Sequence, residues 1–99
     1  MTSNFVIRAY DFTGQSILIT GGGGVLGGEM AQALFECGAN IAILDYNLKA
    51  AQKMVDSFER KPGTGKALAV QGNVVQAESV QAAVDLTLAE FGQIDGLLN

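Results

Sequence analysis

The sequence has no histidine, no tryptophan, one cysteine and one proline. Each shortage closes off a class of function. With Cys37 as the lone thiol and no His, neither a disulfide framework nor a Cys/His zinc site can form within one chain. The commonest acid–base side chain is missing as well. Basic residues are scarce: six Lys and Arg stand against ten Asp and Glu, for a formal net charge of −4. No basic stripe is visible, so neither a nucleic-acid surface nor an anionic-membrane surface is expected. No apolar stretch reaches membrane-spanning length. Met1 to Gln15 has one basic residue, Arg8, and no long apolar run, unlike a secretory signal. A single free thiol suits a reducing compartment, and a cytoplasmic location is expected. Cys37 falls in an apolar helical pattern and is expected to be buried and inert.

What remains is a small globular chain. Its 99 residues are 48% hydrophobic and 16% charged, enough for one domain with a modest core. Residues 1–15 read as a lead-in segment. Ser16 to Thr20, Asn40 to Asp45 and Ala67 to Gln71 are short apolar runs suited to buried strands. Ile94 to Leu98 reads as a fourth. Between them, Val25 to Cys37 places Leu26, Met30, Leu34 and Cys37 at helical spacing, with Gly38 as a stop. Asn47 is a plausible helix N-cap, and Leu48, Ala51, Val55 and Phe58 follow on one face. A helix from Ala77 to Phe91 is expected to bury Val80, Val84, Leu88 and Phe91, with Gly92 ending it. The alternation β-α-β-α-β-α-β means a parallel sheet with helices on both faces and right-handed crossovers.

Chemistry concentrates at Gly21-Gly-Gly-Gly24, between the first strand and the first helix. A helix N-terminus offers unpaired N–H groups and a positive dipole end. A phosphate reaches them only where side chains do not block the backbone, hence glycine. Gly22, Gly24 and Gly27 fit the dinucleotide fingerprint G-x-G-x-x-G, a weak match alone because four consecutive glycines satisfy many patterns. Asp45 strengthens it. An acidic residue about 20 positions on, at the end of the second strand, receives the ribose hydroxyls in this arrangement. Its carboxylate would bind the 2′-hydroxyl of NAD and repel the 2′-phosphate of NADP. Tyr46 and Asn47 follow it, so no neighbouring cation offsets that charge. A surface acid or a helix cap is the competing reading of Asp45. Pro62-Gly-Thr-Gly-Lys66 superficially looks like a P-loop, but Arg60 stands where the first glycine belongs and Ala67 replaces the Ser/Thr.

These motifs bring a resemblance. Ile19-Thr-Gly-Gly-Gly-Gly-Val-Leu-Gly27 resembles the T-G-x-x-x-G-x-G loop of the short-chain dehydrogenase/reductase family. Asp11-Phe-Thr-Gly-Gln15 is similar to the D-L-x-G-K segment that precedes its first strand. Gly72-Asn-Val74 falls where the family has a D-V pair, and Phe91-Gly-Gln-Ile-Asp-Gly-Leu-Leu-Asn99 resembles the run into its N-N-A-G motif. Within the family, GGGGVLGGEMAQAL is most similar to the sugar-acid branch that includes D-mannonate oxidoreductase (fructuronate reductase). The resemblance implies a Rossmann-type α/β fold, with four strands in the order 3-2-1-4, three helices and an incomplete second half. It implies NAD as cofactor, with Gly21, Gly23, Gly24, Leu26, Gly27, Asp45, Asn73, Val74 and Asn99 around it. The family's middle glycine is Val25 here. Its adenine-contacting aspartate is Asn73, whose amide oxygen could still accept that hydrogen bond; a plain turn residue is the alternative. Val74 would line the adenine pocket or pack in the core.

The same resemblance implies that these residues are the N-terminal part of a single nucleotide-binding domain. The family's catalytic Ser, Tyr and Lys would lie beyond position 99. No substitute stands out. Tyr46 has Lys49 three residues on rather than four, and Tyr10 has no lysine four residues on. A whole protein of this kind would move hydride between NAD and a small polar substrate such as a hydroxy or keto sugar acid. Family members are usually homo-oligomers, through elements not present here. The 99 residues alone are expected to be inactive. A stand-alone nucleotide-binding module and a nonfunctional truncated product remain open alternatives.

Overall fold

A computed structural model describes residues 11–21 and 25–98, the side chains of residues 25–27 excepted. The elements run β1 (Ser16–Thr20), α1 (Val25–Glu36), β2 (Asn40–Asp45), α2 (Leu48–Asp56), β3 (Ala67–Gln71), α3 (Ala77–Phe91) and β4 (Gly96–Leu98). The four strands form one parallel sheet in the order β3-β2-β1-β4. This is the Rossmann-type arrangement expected from the alternating pattern.

Alternate residues of the central strands build two cores. Ile17 and Ile19 of β1 and Ile41 and Ile43 of β2 face Ala31 and Phe35 of α1 and Ala51, Val55 and Phe58 at α2. Leu18, Ala42 and Leu44 point the other way and cluster with Val70 of β3 and Ala83 of α3. Residues 41–44 are wholly inaccessible. A strand covered on both faces has no position for a polar side chain, so its sequence is an unbroken apolar run. The Phe35 and Phe58 rings pack with centroids 5.0 Å apart, tilted by 34°.

Several helix faces differ from expectation. On α1, Gly28, Ala31 and Phe35 lie deepest, Leu34 packs partly buried, and Met30 is exposed. Small residues let the helix lie close on the sheet, and the inward face is rotated from the Leu–Met stripe accordingly. Leu26 is one of the side chains not described. Cys37 is half-buried rather than buried. On α2, Ala51, Val55 and Phe58 are buried as expected, but Leu48 is exposed. On α3, Ala83 and Thr87 are buried, while Leu88 is exposed and Val80, Val84 and Phe91 lie between. Thr87 tolerates burial because its hydroxyl donates to the Ala83 carbonyl at 2.8 Å.

The fourth strand begins at Gly96 rather than Ile94. Asp95 explains the difference. Its N–H donates to the Ser16 carbonyl at 2.7 Å, and its Oδ2 accepts the Ser16 N–H at 2.7 Å. A side chain thus substitutes for a ladder carbonyl and fastens β4 to β1. Gln93 Nε2 braces the same carboxylate at 2.8 Å.

Candidate functional site

Because β1, β2 and β3 are parallel, their carboxyl ends meet along one edge of the sheet. Ligands of open α/β sheets bind at such an edge. Here Gly21, Leu44, Asp45, Tyr46, Gly72, Asn73 and Val74 line a cleft of about 220 Å³. Gly21 turns the chain out of β1 at φ 65°, a conformation glycine adopts without strain. Its N–H donates to the Leu44 carbonyl at 2.9 Å. Gly72 leaves β3 with its N–H on the Asp45 carbonyl at 3.1 Å. A Cβ at Gly72 would collide with Leu44 Cδ1. The cleft wall at this point therefore requires the absence of a side chain.

Asp45 is half-buried at the end of β2. Its Oδ1 accepts the Asn47 N–H at 2.9 Å. Asn47 caps α2, its Oδ1 accepting from the Lys49 N–H at 3.0 Å and the Ala50 N–H at 3.3 Å. Asn73 is anchored by its N–H on Ser79 Oγ at 2.8 Å, while its Oδ1 accepts the Val75 N–H at 3.1 Å. The turn reading of Asn73 thus holds, and a carbonyl oxygen with two lone pairs can still take a second donor. Val74 is 57% exposed in this chain.

Among the described residues no Lys or Arg lines this cleft, and Asp45 is its charged side chain. Lys49 lines a neighbouring hollow of about 490 Å³ with Tyr46, Asn47, Leu48 and Gln71. Asp11 and Lys61, both perturbed in their ionisation, lie on segments outside the cleft's described lining. The Thr13 hydroxyl and N–H lower the Asp11 carboxyl, and the hydrogen bond and charge of Glu59 raise the Lys61 ammonium. An apolar hollow of about 470 Å³ sits on the α1 face beside β4, with Phe12, Met30, Leu34, Leu97 and Leu98 in its walls.

Of the residues the sequence singles out, Gly21, Asp45, Asn73 and Val74 come together in one cleft. Gly22, Gly23, Gly24 and Asn99 lie outside the described residues, as do the side chain of Leu26 and the surroundings of Gly27. The ends of β1 at Thr20 and α1 at Val25 nevertheless put the glycine run between a strand's carboxyl end and a helix N-terminus. Leu44, Tyr46 and Gly72 also line the cleft and were not singled out. A signal for Gly72 was its position directly after a strand and before Asn73. Among the described residues no group of three or more His, Cys, Asp or Glu could hold a metal ion. No helix among them is long and apolar enough to cross a membrane.

The model of the short chain dehydrogenase family matches residues 15–99. A 2,5-dichloro-2,5-cyclohexadiene-1,4-diol dehydrogenase from Sphingobium indicum is 37% identical over 89 residues, covering 90% of this chain and 34% of that protein. A crystal structure assigned as a D-mannonate oxidoreductase from Haemophilus influenza, with bound NAD, superposes with a TM-score of 0.83 at 34% identity. The match covers 93% of this chain and 32% of that one. An NAD+-bound xylitol dehydrogenase superposes with a TM-score of 0.78 at 38% identity, covering 87% and 32%. The chain spans about a third of the length of the relatives it matches.

Proposed function

This chain belongs to the short-chain dehydrogenase family, and from that premise we propose that its strand-end cleft is the adenosine end of an NAD(H) site. The observation that carries the reading is Asp45. It is a carboxylate at the end of β2, in a cleft with no cation among its described lining residues, held by the Asn47 N–H. A vicinal diol donates two hydrogen bonds to such a group, whereas a 2′-phosphate meets like charge. The cleft therefore selects NAD over NADP.

The roles divide by element. Gly21, Gly23 and Gly24, before α1, and Leu26 and Gly27, in its first turn, are the residues we assign to the pyrophosphate at the α1 N-terminus. Asn73 and Val74 bound the adenine, Asn73 offering an acceptor and Val74 an apolar face. Tyr46 completes that wall, and the bare Cα of Gly72 lets β3 pack against the buried Leu44 beneath it. Asn99 is assigned a supporting role toward the cofactor. NAD supplies hydride transfer when bound. This chain's own residues bind and orient it.

The 99 residues form the N-terminal part of one nucleotide-binding domain. The whole protein is a cytoplasmic oxidoreductase that passes hydride between NAD and a hydroxy or keto sugar acid or a similar small polar molecule. It acts as a homo-oligomer, with the acid–base residues outside this portion. The named activities of the relatives and the NAD in two of the superposed structures support this reading. Calorimetry with NAD and NADP tests the binding role. Measurable affinity for NAD, weaker affinity for NADP and loss of that preference in Asp45→Ala are expected. An NADH-dependent turnover by the purified 99-residue chain would overturn the division of labour.

A further inference from the structure

We infer that Asn47 is a positioning residue that sets the NAD-over-NADP preference by two bonds made at once. The inference rests on the reading of the cleft as an NAD site. The first bond is the backbone N–H of Asn47 on Asp45 Oδ1 at 2.9 Å. It is a hydrogen bond to a charged acceptor, among the stronger kinds, and it fixes the rotation of the carboxylate. The second involves the side chain. Asn47 Oδ1 takes the Lys49 and Ala50 N–H groups, at 3.0 and 3.3 Å.

The two bonds are linked through the backbone. Asn47 sits at φ −98° and ψ 102°, outside the helix, while its side chain closes the first turn of α2. Releasing the side chain frees that geometry, and the N–H that orients Asp45 loses its fixed direction. The side chain also has a second consequence. The Lys49 and Ala50 N–H groups are donors at the positive end of α2, where a 2′-phosphate beside Asp45 would seek compensation, and the Ala50 N–H also bonds the Asn47 carbonyl at 3.1 Å. Asn47 Oδ1 already occupies them. Asp45 repels the extra phosphate, and Asn47 withholds the donors that could compensate.

A structural cap predicts something different. If Asn47 only stabilised α2, its removal would lower the folded fraction and weaken both nucleotides by one common factor. The ratio of the two affinities separates the cases. We expect Asn47→Ala to shrink the NAD-to-NADP ratio by about five-fold, the equivalent of one net hydrogen bond at Asp45. Asn47→Ser, which keeps a capping oxygen, restores the ratio. Asn47→Gly removes the oxygen at little cost to the helix and covers the case in which the alanine variant does not fold. In an Asp45→Ala background, Asn47→Gly has no further effect on the ratio, because the group it positions is gone. Equal weakening of both nucleotides by Asn47→Ala and Asn47→Gly overturns the inference and leaves the NAD reading standing. An unchanged ratio in Asp45→Ala alone, or no nucleotide binding by the wild-type chain, overturns the NAD reading and this inference with it.

Discussion

Adding one methyl group at Gly72 tests whether the cleft wall is built as described. Gly72 is buried, and its φ is not in the left-handed region, so alanine adopts its backbone without strain. The new Cβ instead meets Leu44 Cδ1, with Ser79 Oγ a further 3.4 Å neighbour. Leu44 is fully inaccessible and packed in the cluster with Leu18, Ala42, Val70 and Ala83. Its methyl cannot swing into free space. Overpacking of this kind costs about 1–3 kcal/mol. The stiffer unfolded chain returns about 0.4–1 kcal/mol. Taken at mid-range, the net loss is about 1.3 kcal/mol, with a fall in Tm of roughly 4–8 °C per kcal/mol for a domain this small. Thermal and urea unfolding of Gly72→Ala measure it. The double variant identifies the cause. Leu44→Ala alone costs about 2–5 kcal/mol, and in combination the two losses fall short of their sum by at least about 0.5 kcal/mol, since the cavity accepts the methyl. A Gly72→Ala chain as stable as wild type, or strict additivity in the pair, refutes the reasoning.

Two further predictions concern the ends of the sheet. Asp95→Ala removes the acceptor of the buried Ser16 N–H and costs about 1–3 kcal/mol in urea unfolding, with faster amide exchange at Ser16; unchanged exchange there contradicts the proposed fastening of β4. The Asp11 carboxyl is lowered by the Thr13 hydroxyl and N–H, so its contribution is present above the ordinary carboxylate pKa and is lost as pH falls through the lowered one. A carboxyl-carbon NMR titration shows Asp11 with a midpoint below the ordinary value, and Thr13→Val raises it; a midpoint at or above the ordinary value contradicts the assignment.

Much of the fold was legible because its signals are local. The runs Ser16–Thr20, Asn40–Asp45 and Ala67–Gln71 are apolar and bounded by breakers, and each forms the strand expected of it. Asn47 caps α2 as its type and position suggest. Helix faces were less legible. Two adjacent stripes on one helix can share the same period, and periodicity does not say which meets the sheet. On α1 and α3 the deepest positions include Gly28, Ala31, Ala83 and Thr87, small or polar residues that hydrophobicity ranks low. Ile94–Leu98 read as one strand because nothing in its composition shows a carboxylate taking over a ladder bond across 79 positions. The cleft divides the same way. Asp45, Asn73 and Val74 carry chemical signals at strand ends. Gly72 and Leu44 join the site only through the β2–β3 register, which pairs Leu44 with Val70 and Asp45 with Gln71. That pairing is a long-range fact.

The most direct test of the account is an amide ¹H–¹⁵N titration of the 99-residue chain with NAD. The account predicts shifts concentrated at Gly21, Asp45, Tyr46, Gly72, Asn73 and Val74, reproduced more weakly by NADP and lost in Asp45→Ala. Shifts centred instead on the apolar hollow at Phe12, Met30 and Leu98, or no shifts at saturating NAD, would contradict it.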